Sequence, residues 1–192
     1  MRKLTFVLAT AVIGAACSQT PTSPEFTVPL SVNAVKTGDT AAVRTGEPLS
    51  STHLKGEHEV PARETNAQGQ AIMKVSADGQ SISFKLIASN IENVIAAHIH
   101  VGAEGVNGPV VVFLFGTVAS GGGRHDGILS EGTFTAADFT GPLAGMPFSA
   151  LLAAMAAGNT YVNVHTNDGV APTNTGPGDF PGGEVRGQIV RK

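Results

Sequence analysis

Three of the six histidines in this 192-residue chain fall where a strand pattern aims imidazoles the same way. Ala97-His98-Ile99-His100 sets two of them two residues apart in an apolar segment. On a strand such residues share a face, so His98 and His100 point to one side and Ile99 and Val101 to the other. Tyr161-Val162-Asn163-Val164-His165-Thr166 alternates likewise. Val162 and Val164 make the core side, and Tyr161, Asn163 and His165 share the opposite one. If these strands are neighbours, three imidazoles converge into a ligand set for copper or zinc with an open position. The same side chains equally suit hydrogen bonding to carbonyls of nearby Gly-rich loops, and spacing alone does not choose between the two jobs.

Other groups with chemical capacity are scattered. His125, in Gly121-Gly122-Gly123-Arg124-His125-Asp126, reads as a solvated loop residue or a fourth ligand. Glu184 and Arg186 are two apart on one strand face; they read as a surface ion pair, or Arg186 serves as an anion guide beside the histidines. The Gly-, Pro-, Asn- and Asp-rich loop from Asn167 to Pro181 is longer than a bare connection needs. It could bind calcium through Asp168 and Asp179, form a lid over the histidines, or be a plain surface loop. There is no Gly-x-Ser-x-Gly elbow, no phosphate-cradling Gly-x-x-x-x-Gly-Lys and no dinucleotide fingerprint. No complete catalytic set is legible, so an enzyme is not the leading expectation.

The elements that must hold these residues are β-strands. Charged residues make up 14%, glycines number 24 and aromatics make up 5%, a composition suited to a turn-rich β domain rather than a coiled coil or a charged tail. Twelve Lys and Arg against fifteen Asp and Glu, with no basic cluster, argue against nucleic-acid binding. The one cysteine excludes an internal disulfide. Ser81-Ile82-Ser83-Phe84-Lys85-Leu86 alternates cleanly after Asp78-Gly79, which predicts a hairpin with Ala71 to Val75. Further strands are predicted at Leu54 to Val60, Val94 to Val101, Pro109 to Phe115, Ile128 to Phe134, Tyr161 to Thr166 and Glu184 to Val190. Thr135-Ala136-Ala137-Asp138 fits a capping box opening a short helical turn, and Pro147 to Ala157, stopped by Gly158, reads as one short helix. The fold class is therefore all-β, an antiparallel sandwich of about eight strands with one short α-helix.

Residues 1–17 read as an export signal, with a cationic start and an apolar stretch too short to span a bilayer as a mature helix. Gly14-Ala15-Ala16-Cys17-Ser18 resembles the lipobox of bacterial lipoproteins, which implies a lipid anchor on Cys17, and Ser18 is of the kind associated there with the outer membrane. Gly14 stands where that motif usually has Leu; the alternative is an ordinary signal and a secreted protein. Residues 18–51, rich in Thr, Pro and Ser, hold no lasting period and read as a tether, leaving 52–192 as the folded domain.

Five ordered segments carry a more specific resemblance. Gly56-Glu57-His58-Glu59-Val60-Pro61, Ala97-His98-Ile99-His100, Asn107-Gly108-Pro109-Val110-Val111, the stretch from Gly158 to Thr166, and Pro181-Gly182-Gly183-Glu184-Val185-Arg186-Gly187-Gln188-Ile189 together resemble the CHRD domain, first described in chordin, from about Leu54 to Val190. His58 departs from a usually neutral position, and Ala62 follows Pro61 where a second Pro is frequent. The resemblance implies an immunoglobulin-like β barrel distantly related to superoxide dismutases, and no general activity. In copper-zinc superoxide dismutases a His-x-His strand and a late strand supply copper ligands, and His98, His100 and His165 stand in comparable positions. The zinc ligands, bridging His and paired cysteines of that family have no counterparts, which leaves a copper-only site.

These readings combine into a lipid-anchored envelope module that acts by binding an envelope or extracellular protein or a polysaccharide. The alternative is a mononuclear copper protein using His98, His100 and His165, with Tyr161 and Asn163 orienting the imidazoles. A third reading, sequestration of a secreted ligand by analogy with chordin, rests on fold-level likeness alone.

Overall fold

Turn chemistry sets where the strands end. In the computed structural model, which describes residues 48–189, Asp78-Gly79 closes a hairpin between β2 (Gln68–Val75) and β3 (Ser81–Glu92), with Gly79 at φ 68°. The pair runs in unbroken antiparallel register from Val75↔Ile82 to Gln68↔Ser89. Five more strands follow in the chain: β4 (Val94–Val101), β5 (Val110–Gly116), β6 (Arg124–Thr135), β7 (Thr160–Thr166) and β8 (Val185–Gln188). With β1 (Pro48–Lys55) they form one antiparallel sheet of eight strands in the order β5-β4-β7-β8-β1-β2-β3-β6. Its two ends approach each other where Ser130 Oγ donates to the Leu114 carbonyl at 2.7 Å, so the sheet curls into a nearly closed barrel. The export signal expected over 1–17, with Cys17, and the expected tether as far as residue 47 lie outside the described residues; residues 48–51, read as the end of that tether, belong to β1.

The barrel interior holds Leu54, Met73, Ile82, Leu86, Ile99, Val112, Val162, Val164 and Val185. One helix, α1 (Phe148–Ala156), closes it with Phe148, Leu151 and Met155, spaced three and four apart along one apolar stripe. The Phe148 ring stacks on Phe139 at 5.5 Å. The capping box predicted at Thr135 is formed, and it opens a single 3₁₀ turn over Ala136–Asp138. The bounds predicted for the late helix agree with α1 to one residue at each end.

The first strand lies earlier than Leu54 to Val60. Gly56 turns the chain out of β1: its carbonyl accepts from both Glu59 N (3.0 Å) and Arg63 N (2.9 Å), and a side chain there would collide with the Arg63 carbonyl. Ser51 to Lys55 buries only Thr52 and Leu54, too thin an apolar alternation to announce a strand. β6 begins at Arg124, so His125 lies on a strand opposite Ile91 rather than in the glycine-rich loop.

Truncating Leu86, fully buried on β3, should cost roughly 2–5 kcal/mol, whereas Val170→Ala, at an exposed site, should stay within about 0.5 kcal/mol. Urea denaturation of Leu86→Ala and Val170→Ala checks the contrast.

Candidate metal centre

Register brings the histidines together. β4 pairs with β7 so that Ala96 faces His165, His98 faces Asn163 and His100 faces Tyr161. β7 pairs with β8 so that Asn163 faces Arg186 and Tyr161 faces Gln188. Directly opposed residues share a face. His98, His100, Tyr161, Asn163, His165, Arg186 and Gln188 therefore line one polar face of the barrel wall, while Ile99, Val162 and Val164 point inward. The alternation read from sequence holds, but this outer face is not open. His98, His100 and His165 are only 9%, 7% and 9% exposed, because loops cover them.

Two of those loops fix the imidazoles. His100 Nδ1 lies 2.8 Å from the Gly108 carbonyl, and His165 Nδ1 lies 2.8 Å from the Pro181 carbonyl. A carbonyl can only accept, so both Nδ1 atoms carry the proton and both Nε2 atoms carry a lone pair. His98 Nδ1 stands 3.0 Å from His165 Nε2 and must donate to it, which leaves His98 Nε2 with the free lone pair. His98 Nε2 and His100 Nε2 are buried without a hydrogen-bond partner. One ligand atom from each ring lies within 4.8 Å of the others, and no other group of three or more His, Cys, Asp or Glu among the described residues is so placed.

Burial, reinforced by the neighbouring His165 and His100 imidazoles, pushes His98 down to about 4. Burial also holds His100 and His165 below the usual histidine range, against the carbonyls of Gly108 and Pro181. The cluster is thus neutral at neutral pH, the state in which imidazole binds a metal. These donors fit a cation: two buried lone pairs have no partner, and a single proton bridges His98 and His165 where an ion can replace it.

Tyr161 supports the cluster from the side. Its ring stacks on His100 at 4.7 Å and 8°, the Arg186 guanidinium lies 3.5 Å over it, and its hydroxyl accepts from Gly108 N at 3.1 Å. Gly108 is required there, since a side chain would run into the Val101 carbonyl. Phe113 stands edge-on to His98 at 4.5 Å.

Not every expected role is filled. Arg186 and Glu184 do not form a surface ion pair: both are fully buried and no salt bridge among the described residues joins them. Both terminal nitrogens of Arg186 hold protein acceptors, Asn107 Oδ1 and the carbonyls of Ala103 and Val106. Asp179 Oδ2 accepts from Thr175 N and Oγ1, and Asp168 Oδ1 accepts from Val170 N, so each carboxylate closes its own turn. His125 is not part of the histidine cluster.

Glu59 is a buried carboxylate that the sequence reading passed over. It lies beside Asn163 Nδ2 under Gly183, whose φ of 125° and close approach exclude a side chain. Burial pushes Glu59 up to about 7, against the pull of Arg186 and Arg63. The signals for Glu59, Gly108 and Pro181 were present as the segments Glu59-Val60-Pro61, Asn107-Gly108-Pro109 and Pro181-Gly182-Gly183, but residue types do not reveal a carbonyl acceptor or a buried acid.

The fold and the site define a nearly closed antiparallel β barrel with a loop-covered histidine cluster on its wall. Residues 50–189 match the CHRD domain family, and the chain belongs to it. Neither the curated proteins nor the solved structures contain a significant match.

Tyr161→Phe keeps the stack but strands the Gly108 N–H, and should cost about 1–2 kcal/mol in urea denaturation. Glu59 yields a pH test of defined sign. Its folded value lies above the ordinary 4.5, so the folded state binds more protons between pH 4.5 and about 7 and loses stability as pH rises through that window. Relative to Glu59→Gln, wild type should lose roughly 1–3 kcal/mol across it, as followed by denaturation at stepped pH.

Proposed function

We propose that this protein is a cell-envelope binding module whose ligand is a metal ion, held at a mononuclear site by His98, His100 and His165, with copper as the preferred ion. The observation that carries the reading is the set of three neutral imidazoles with ligand atoms within 4.8 Å, two of them fixed in tautomer by backbone carbonyls. Imidazole sets suit copper and zinc, and copper(II) is the tighter-binding of the two at nitrogen donors. The resemblance of His98, His100 and His165 to the copper ligands of superoxide dismutases supports the choice, as does the lack of counterparts to that family's zinc ligands.

Copper bound here would supply one-electron redox chemistry. The chain's own residues contribute the rest. Gly108 and Pro181 hold lone pairs toward the centre, Tyr161 stacks on His100 from the same sheet face, Asn163 lies beside them with its Oδ1 unpartnered, and the covering loops limit water. Arg186, with its terminal nitrogens engaged, braces Tyr161 rather than guiding an anion. The lipobox-like segment ending at Cys17 and the Thr-, Pro- and Ser-rich stretch between it and β1 support anchoring to a bacterial envelope membrane. A second reading, display to a protein or polysaccharide, draws on a polar groove of about 480 Å³ beside the centre, lined by Thr52, His53, His58, Glu59, Glu104 and Arg186.

Elemental analysis of the full chain, loaded with copper or zinc and dialysed, tests the proposal beside a His98→Ala/His100→Ala/His165→Ala variant. Wild type should retain about one copper per chain and the variant none, with retention falling as pH drops because protons compete for the same lone pairs. Copper absent from wild type, or retained equally by the variant, would overturn it and leave the histidines as hydrogen bonders.

A further inference from the structure

Glu184 is a fully buried carboxylate, one residue before β8, that no cation pairs among the described residues. Removing a carboxylate from water is costly unless its lone pairs are filled. Here they are filled by donors from three separate segments. Thr65 Oγ1 donates to Oε1 at 2.6 Å; Thr166 Oγ1 and Gly178 N donate to Oε2 at 2.6 and 2.9 Å. Two of the three belong to the connection that covers the histidines: Thr166 ends β7, next to His165, and Gly178 lies in the loop that returns to it.

The carboxylate also imposes direction. Because it accepts, the single proton of the Thr166 hydroxyl is committed to Glu184, and the hydroxyl must turn a lone pair to its other partner, Phe180 N, at 3.0 Å. The Phe180 carbonyl in turn accepts from Gly183 N at 2.9 Å and Thr166 N at 3.3 Å, and Glu184 N donates to the Val164 carbonyl at 2.8 Å. The chain from Gly178 to Glu184 is thus tied down on both sides of Pro181. The Pro181 carbonyl is what remains, and it meets His165 Nδ1.

We infer that Glu184 is a positioning residue for the histidine centre: through Thr166 and Gly178 it fixes the returning loop, and so the Pro181 carbonyl that sets the tautomer of His165. Its consequence for metal rests on the function proposed above; its consequence for the tautomer does not. With Pro181 displaced, His165 is free to carry its proton on Nε2, the atom that faces His98, and the lone pair needed by a cation is lost.

The test compares full-chain wild type, Glu184→Gln, Thr166→Val and Thr65→Val. Thr166→Val keeps the side-chain shape but removes the hydroxyl between Glu184 and Phe180, and it carries the experiment if Glu184→Gln does not fold. Thr65→Val removes a Glu184 partner outside the returning loop and controls for general loosening. Proton–nitrogen correlation spectra of the metal-free imidazoles should show His165 protonated at Nδ1 in wild type and Thr65→Val, with an Nε2-protonated population appearing in Thr166→Val and Glu184→Gln. Copper(II) affinity should fall about tenfold or more in those two variants and hold in Thr65→Val. An unchanged His165 tautomer in Thr166→Val, or an equal change in Thr65→Val, would overturn the inference. If no chain holds copper and the tautomer still shifts only in Thr166→Val and Glu184→Gln, the positioning role stands and the metal reading falls.

Discussion

The cost of burying a polar group governs the wall formed by β4, β7 and β8. A sheet with one face in the core normally gives its other face to water, yet here both faces are buried, and all seven residues of β7 are covered. An unpaired polar atom in such a place costs roughly 1–3 kcal/mol, so each imidazole, amide and carboxylate on the outer face needs a partner from whatever lies above it. The loops over that face are therefore sources of acceptors and donors in fixed places. Gly108 and Pro181 supply carbonyls, Gly178 an amide, and Asn107 a side-chain oxygen for Arg186.

Against that background the partnerless atoms stand out. His98 Nε2, His100 Nε2, Asn163 Oδ1 and Glu59 Oε1 are buried without hydrogen bonds on a face where Arg186 alone makes several. Apolar residues on this face would have avoided the cost altogether. Retaining nitrogens with free lone pairs, and holding them neutral by burial, is a local sacrifice of stability of the kind that marks a binding centre. Arg186 does not turn the cluster into an anion site, since its charge is spent on carbonyls and on the Tyr161 ring.

How much of this was legible follows from what side-chain type encodes. Alternation about Ile99 and about Val162 and Val164 was enough to place His98, His100, Tyr161, Asn163 and His165 on one face, because a period of two leaves no other choice once the apolar side is known. The hairpin at Asp78-Gly79 and the helix stopped by Gly158 were legible for the same reason: each is a local signal. Pairing of β4 with β7 was not, since it joins segments distant in the chain with no local signal to link them. Burial of the histidine face was not legible either, because it depends on loop paths, and the carbonyls of Gly108 and Pro181 belong to every residue alike. Glu184 and Arg186 were misjudged as an exposed pair from their spacing, when each is satisfied by a different set of loop partners. The start of β1 was missed because Thr52 and Leu54 alone mark its buried side.

His98 and His165 are separated by 67 positions in the chain, and only the pairing of β4 with β7 makes them touch. Of the three histidines, only His98 and His100 stay close together in an unfolded chain, a poor chelate beside the free thiols and imidazoles of any cell interior. For the metal reading proposed above, occupancy would thus be tied to the moment of folding, and the compartment in which folding finishes, through the ions it holds at that moment, would select the metal bound.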